Sequence, residues 1–466
     1  MTFADILAQK RREVSQRQRA HPASALSPAL TPSGRSLAAA LKAPGARFIT
    51  EIKKASPSVG RIRATADVVD IANGYAGVAD ALSVLVDKTF FNGSYDDLRR
   101  VAESVGRPVL CKDIVVSPYQ IVEARAAGAD AVLLMLSVLD DGEYRRCAEI
   151  ARRYHLDIVT EVHNQSELGR ALALGARIIG VNNRDFKTFK TDLSVTRRLA
   201  PRVPADRLVI CESGIGDHRD AQALAALVDG FLVGTALMKA PDPAVAVRRL
   251  VFGTIKVCGL RRPEDARLAY EMGATYGGLI FAAGSPRRID IEAGVALARA
   301  MRLRPVGVFV NQSSGLIADI ARRGDLAAVQ LHGAEDDIYC RKLRRLLPAR
   351  CEIWRACRTT GALPRDFPQP ADRLLLDNYV ADLAGGTGRA FDWSALAAHP
   401  LRDRVMLAGG LGPDNAEVAS AMGVWGLDVN SGVEQAPGIK EAQLMKRFFE
   451  SIRLADRAAG PRRAVA

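Results

Sequence analysis

In the first half of the chain, short runs of apolar residues alternate with longer segments whose apolar positions recur at helical spacing. The runs are Phe48 to Lys53, Ala81 to Val86, Val109 to Lys112, Ala131 to Met135, Asp157 to Glu161, Ile178 to Asn182, Leu208 to Glu212 and Gly230 to Gly234. Strands that read as near-continuous apolar runs, separated by amphipathic helices, belong to a parallel sheet covered on both faces. Eight such units close into a (β/α)8 barrel. Five runs end in Glu51-Ile52-Lys53, Lys112, Glu161, Asn182 and Glu212. Because active sites of this barrel lie at the C-terminal strand ends, these endings describe one catalytic mouth. Glu51 and Lys53 are two apart, so strand alternation turns both towards the barrel axis. Any one of these charges could serve a structural ion pair, but several converging on one rim point to catalysis.

The pattern then repeats. After Pro241 and Pro243 a helix is expected from Ala244 to Val251, and a second set of eight runs begins at Thr254. These are Thr254 to Cys258, Tyr276 to Ile280, Val306 to Phe309, Ala328 to Leu331, Glu352 to Cys357, Arg373 to Asp377, Val405 to Gly410 and Gly426 to Val429. At 466 residues the chain is close to twice the roughly 250 typical of one barrel. The expected architecture is therefore α/β, two tandem TIM barrels over residues 1–251 and 252–466. A helical extension, basic and mostly solvated, is read over Ile6 to Arg19.

Composition narrows the classes. Seven cysteines without a C-x-x-C pair argue against a disulfide framework and a zinc site, and for a reducing compartment. No secretory leader pattern is read, and the strongest apolar run, Ala131 to Leu139, is too short for a membrane span. The expectation is a cytoplasmic monomer without metal or other cofactor, since no ligand cluster or dinucleotide fingerprint is found. The net charge of +13 is dispersed and lacks interleaved aromatics, which favours anionic small substrates over nucleic acid.

Loops after strands seven and eight of such barrels often bind phosphate through backbone N–H groups. Ser213-Gly214-Ile215-Gly216 and Gly234-Thr235 occupy those places in the first half, Gly409-Gly410-Leu411-Gly412 and Asn430-Ser431-Gly432 in the second. One glycine pair is more often simply a turn, but repetition at the same two places in both halves favours two phosphate sites. In the second mouth Cys258 and Asp377 suit one proton removed and one delivered. A cysteine is ordinarily a small buried hydrophobe; a strand end followed by Gly259 argues for more. His332 sits at another strand end, where contact with substrate and a loop cap are equally open. His155, His218 and His399 read as ordinary helix or loop residues, Trp354 and Trp393 as packing.

At these residues the chain resembles the fusion enzymes that join indole-3-glycerol phosphate synthase to N-(5'-phosphoribosyl)anthranilate isomerase in tryptophan biosynthesis. The synthase marks are Glu51 to Ser58, Cys111-Lys112-Asp113, Thr160-Glu161-Val162, Asn182 to Asp185 and Glu212-Ser213-Gly214. The isomerase marks are Lys256 to Leu260, Ser285-Pro286-Arg287, Gln330 to Gly333, Leu376-Asp377-Asn378, Gly385 to Gly388 and Ala408 to Leu411. The resemblance implies an Amadori rearrangement in the second barrel, with Asp377 as general acid, Cys258 as general base and Arg287 on the anthranilate carboxylate. It implies indole ring closure in the first, with Lys112 as general acid, Glu161 as its partner, and Lys53 and Glu51 assisting. Asn182, Arg184 and Glu212 would position substrate. Ser56, Ser213, Gly214, Gly234 and Thr235 would bind it in the first barrel; Gln330, His332, Gly409, Gly410, Ser431 and Gly432 in the second. Val59 stands where related chains often carry lysine, and Thr235 where they often carry serine. Two rival readings are a pair of barrels acting on other sugar phosphates, and a single catalytic barrel beside a phosphate-binding or structural one.

Overall fold

A computed structural model describes residues 3–27, 30–185, 188–359, 367–378, 393, 396 and 399–454. The chain divides into two compact units, Met1–Val251 and a second that begins at Phe252. Each contains a closed barrel of eight parallel strands.

In the first unit the strands are β1 (Arg47–Ile52), β2 (Ala81–Leu85), β3 (Val109–Lys112), β4 (Ala131–Met135), β5 (Asp157–Val162), β6 (Ile178–Asn182), β7 (Leu208–Glu212) and β8 (Gly230–Val233). Alternation fixes what fills the barrel. Ile49, Ala81, Leu110, Leu133, Val159, Ile178, Ile210 and Leu232 form one buried cluster, closed by Leu37 and Leu41 from the helix Leu37–Lys42. Burying each large aliphatic side chain is worth about 1.5–3 kcal/mol. The inward parity then carries on to the rim: two residues beyond Ile49, Leu110, Val159 and Ile210 stand Glu51, Lys112, Glu161 and Glu212, while Asn182 lies four beyond Ile178. The packed core thus aims the chemistry.

The second unit repeats the plan with β9 (Thr254–Val257), β10 (Tyr276–Ile280), β11 (Arg304–Phe309), β12 (Ala328–Leu331), β13 (Glu352–Thr359), β14 (Arg373–Asn378), β15 (Val405–Leu407) and β16 (Gly426–Val429). Tyr276, Val306, Ala328, Trp354, Leu375 and Met406 fill its core, with edge-to-face contacts of Trp354 on Tyr276 and Trp425. Trp393 is also buried. Two residues beyond Ala328 and Leu375 come Gln330 and Asp377.

The N-terminal segment departs from expectation in part. It is a helix, α1 (Phe3–Ala20), mostly exposed as expected, but one stripe of it, Ile6, Lys10 and Val14, is buried. Lys10 bridges two carboxylates of the barrel, Asp87 at 2.5 Å and Asp113 at 2.8 Å. All seven cysteines are free thiols. No helix among the described residues is long and apolar enough to cross a membrane.

Candidate active site

The rim of the first barrel surrounds a cavity of about 350 Å³. It is lined by Glu51, Lys53, Ser56, Lys112, Glu161, Asn182, Arg184, Glu212, Ser213, Gly214, Gly234 and Thr235, so every candidate catalytic or substrate-binding residue of this half meets in one place. Lys53 Nζ lies 2.8 Å from Glu51. Lys112 Nζ stands between two buried carboxylates, 3.2 Å from Glu212 and 3.6 Å from Glu161. Two glycines make this approach possible. A Cβ on Gly180 of β6 would fall 2.0 Å from Glu212 Oε1, and one on Gly234 2.5 Å from Glu51 Oε1.

The carboxylates around it govern Lys112. Burial pulls its pKa down, but Glu212, Glu161 and Glu51 outweigh burial and hold the ammonium above its ordinary value. In Glu212 burial wins: with Glu161 adding to it against Lys112, it pushes the carboxyl up to about 7. In Glu51 the upward push of burial loses to Lys53, Lys112 and Arg184, and the carboxyl lies below its usual range. At neutral pH the mouth therefore holds a charged lysine, an ionised Glu51 and a Glu212 poised between two states. The oxygens of Glu161 and Glu212 make ion pairs but no well-formed hydrogen bond among the described residues. Such buried acceptors await a donor.

Just after Glu212 the backbone turns sharply. Ser213 and Gly214 both adopt positive φ, 65° and 94°, so two successive residues are left-handed just after β7. Asn182 Oδ1 accepts the Arg184 N–H at 3.0 Å, and the Arg184 guanidinium donates to Phe189 O at 3.0 Å and Ser58 Oγ at 3.4 Å. Val59 is 37 % exposed and does not line the cavity.

Sequence reasoning missed two groups here. Phe3 and Ile6 of α1 line the cavity, and Lys10 holds Asp113, the residue after Lys112, which also accepts from Tyr95 at 3.1 Å and Gln120 at 2.8 Å. His163 Nε2 lies 3.4 Å from Glu161. The signal for His163 was its place two residues after Glu161, just past the end of β5. His218 Nδ1 donates to Leu250 O at 2.9 Å, as an ordinary helix residue does.

In the second barrel Cys258 follows β9 and is buried, while Asp377 stands near the end of β14, the sixth strand. Lys256, fully buried, donates to Asp428 at 2.7 Å. A Cβ on Gly278 would lie 2.8 Å from Cys258 Sγ and 3.0 Å from Lys256 Cε, so that glycine leaves space for both. Burial pushes the Cys258 thiol up, Lys256 opposing it and Asp428 adding to it. Gln330 hydrogen-bonds His332. Gly409 and Gly410 have positive φ, 79° and 72°, and a Cβ on Gly432 would meet Leu411 O at 2.0 Å, so the loops after strands seven and eight touch beside Ser431. Arg287 forms a two-pronged ion pair with Glu434, a partner the sequence did not announce. The Gly385 to Gly388 motif lies outside the described residues.

Two closed barrels on one chain, each with acid and base groups on its C-terminal rim, define a bifunctional barrel enzyme. Residues 3–250 match the family model of indole-3-glycerol phosphate synthase, and residues 255–451 that of N-(5'-phosphoribosyl)anthranilate isomerase. The chain is 46 % identical over 441 residues to the tryptophan biosynthesis protein TrpCF of Yersinia pestis, covering 95 % of this chain and 92 % of that one. To TrpCF of Vibrio cholerae it is 44 % identical, covering 96 % and 95 %. A crystal structure of phosphoribosyl anthranilate isomerase from Thermus thermophilus matches 43 % of this chain and 98 % of its own at 33 % identity, TM-score 0.39. The chain belongs to the bifunctional TrpCF family of tryptophan biosynthesis, with the synthase, a decarboxylating lyase, in its N-terminal barrel and the isomerase in its C-terminal barrel.

Proposed function

We propose that the two reactions are carried by the residues gathered in the two mouths, with the functional boundary between Val251 and Phe252. In the second barrel Asp377 protonates the ribose ring oxygen as its bond to C1' opens, and Cys258 removes the C2' proton, giving carboxyphenylamino-deoxyribulose phosphate. The ammonium of Lys256 beside Cys258 is the group that favours the thiolate this step needs. Arg287 holds the anthranilate carboxylate, Gln330 and His332 contact the substrate, and the loops bearing Gly409, Gly410, Ser431 and Gly432 take its phosphate.

In the first barrel Lys112 is the general acid for ring closure, Glu161 its acid–base partner, and Lys53 with Glu51 assists. The carrying observation is Lys112 held charged between Glu161 and Glu212 in one buried cavity. Asn182, Arg184 and Glu212 position the substrate, while Ser56, Ser213, Gly214, Gly234 and Thr235 form its phosphate end. CO2 and water leave as the indole forms. Free thiols throughout support action in a reducing compartment, the cytoplasm. The substrates are small anions and the chain acts as a monomer.

The test is selective loss. Lys112→Ala and Glu161→Gln should abolish ring closure and spare the isomerase, and Cys258→Ala and Asp377→Asn should do the reverse, each by ~10²–10⁴-fold. More than about a tenth of wild-type turnover in a variant would assign its proton transfer to another group.

A further inference from the structure

We propose that Glu434 is a positioning residue that sets Arg287 to receive the substrate carboxylate in the second mouth; this rests on reading Arg287 as the carboxylate's partner.

Three observations support it. Arg287 Nε lies 2.9 Å and 3.1 Å from the two Glu434 oxygens, and Nη2 lies 2.9 Å from Oε2. The pair is little exposed, 12 % for Arg287 and 4 % for Glu434. Glu434 is itself fixed: it opens β17 (Glu434–Ala436), directly opposite Lys440 of β18 (Ile439–Lys440). There it accepts from Lys440 Nζ at 2.9 Å and from the Gly438 N–H at 3.1 Å. Lys440 is anchored in turn by Asn430, at 3.1 Å to Oδ1 and 3.2 Å to O. Finally, a Cβ on Gly259 would lie 3.1 Å from Arg287 Cδ and 2.7 Å from Asn430 Oδ1. The arginine stem therefore crosses the residue that follows Cys258.

The donor count then assigns the work. A guanidinium has five N–H groups in one plane. The edge formed by Nε and one Nη2 hydrogen is spent on Glu434, which leaves both Nη1 hydrogens and the second Nη2 hydrogen as a planar end-on fork. That fork matches a carboxylate bidentately. Arg287 sits on a loop after β10, and without Glu434 it would have to be ordered by the substrate itself, at the substrate's expense in affinity.

A resident carboxylate also repels an incoming one, so removing Glu434 could have either sign. Lys440 decides between them. It is buried, and burial already lowers its pKa against the pull of Glu434. Removing Glu434 takes away that pull and makes the Lys440 proton easier to lose, which offsets part of the lost negative charge. The loss of orientation remains.

The experiment uses the full chain and two substrates, phosphoribosylanthranilate and the phosphoribosyl derivative of aniline, which lacks the carboxylate. Glu434→Gln should raise KM for the first by about tenfold, the scale of a charged hydrogen-bonded pair, with kcat changed less and the aniline substrate unaffected. Glu434→Asp, which keeps the charge but withdraws it from Arg287, should lie between Glu434→Gln and wild type. Combined with Arg287→Ala, Glu434→Gln should add nothing. Equal effects on both substrates would show a merely structural role and overturn the proposal. An unchanged or lower KM in Glu434→Gln, with a raised KM in Arg287→Ala, would overturn it while leaving Arg287 as the carboxylate's partner. An unchanged KM in Arg287→Ala would overturn both.

Discussion

Lys112 Nζ stands 3.2 Å from Glu212 Oε2, and the two are unequal partners: the lysine is held charged while the carboxyl is pushed up to about 7. Folded protein therefore keeps a proton on Glu212 that unfolded chain releases near 4.5. Since stability falls with pH wherever the native state binds more protons, the contribution of Glu212 is present below about 4.5 and lost as pH rises through about 7. Glu212→Gln keeps the neutral form at every pH. Denaturant unfolding of both proteins should show wild type losing stability relative to the variant between pH 5 and about 7.5. A difference that stays constant, or moves the other way, would place the proton elsewhere.

Much of this arrangement is legible in the sequence, because the residue that packs the barrel and the residue that reacts share one strand face. β3, β4, β6, β7, β10, β12 and β16 fall where the apolar runs place them. Other limits shift for local reasons. β11 starts at Arg304, ahead of Val306, because Pro305 interrupts the apolar run without ending the pairing with β10. β13 continues to Thr359 because Arg358 and Thr359 pair with Asp377 and Asn378 of β14. β15 stops at Leu407 because Gly409 and Gly410 leave the extended conformation. Lys10 and Glu434 were not legible at all. Their partners lie 103 and 147 residues away, and no local pattern separates a buried lysine from its solvated neighbours.

Lys10 gives a stability prediction. Lys10→Met leaves Asp87 and Asp113, each 1 % exposed, without the cation that joins them, at a cost of about 3–5 kcal/mol. Urea unfolding should show that loss in the first barrel, together with weaker synthase activity, because α1 also supplies Phe3 and Ile6 to the cavity wall. Unchanged unfolding would mean the helix docks by its apolar face alone.

Each barrel closes on itself and carries its own loops, so each should fold alone. Met1 to Val251 and Phe252 to Ala466, expressed separately, should each be soluble with one activity. An insoluble or inactive pair would show that the two halves depend on each other.

Barrel interiors are filled with side chains, so the intermediate has no path through a barrel and should travel through solvent. A mixture of Cys258→Ala and Lys112→Ala proteins should then convert phosphoribosylanthranilate to indoleglycerol phosphate after a lag in which free intermediate accumulates. If the mixture stays inactive while each variant retains its other activity, transfer occurs within one chain.

The central claim is that these two mouths perform consecutive reactions. Purified wild-type protein should be given phosphoribosylanthranilate alone while anthranilate-adduct fluorescence and indoleglycerol phosphate are followed together. The account predicts that the carboxyphenylamino-deoxyribulose phosphate signal rises first, and that indoleglycerol phosphate then forms in proportion to the substrate consumed. Formation of neither product, or accumulation of the first with none of the second, would contradict it.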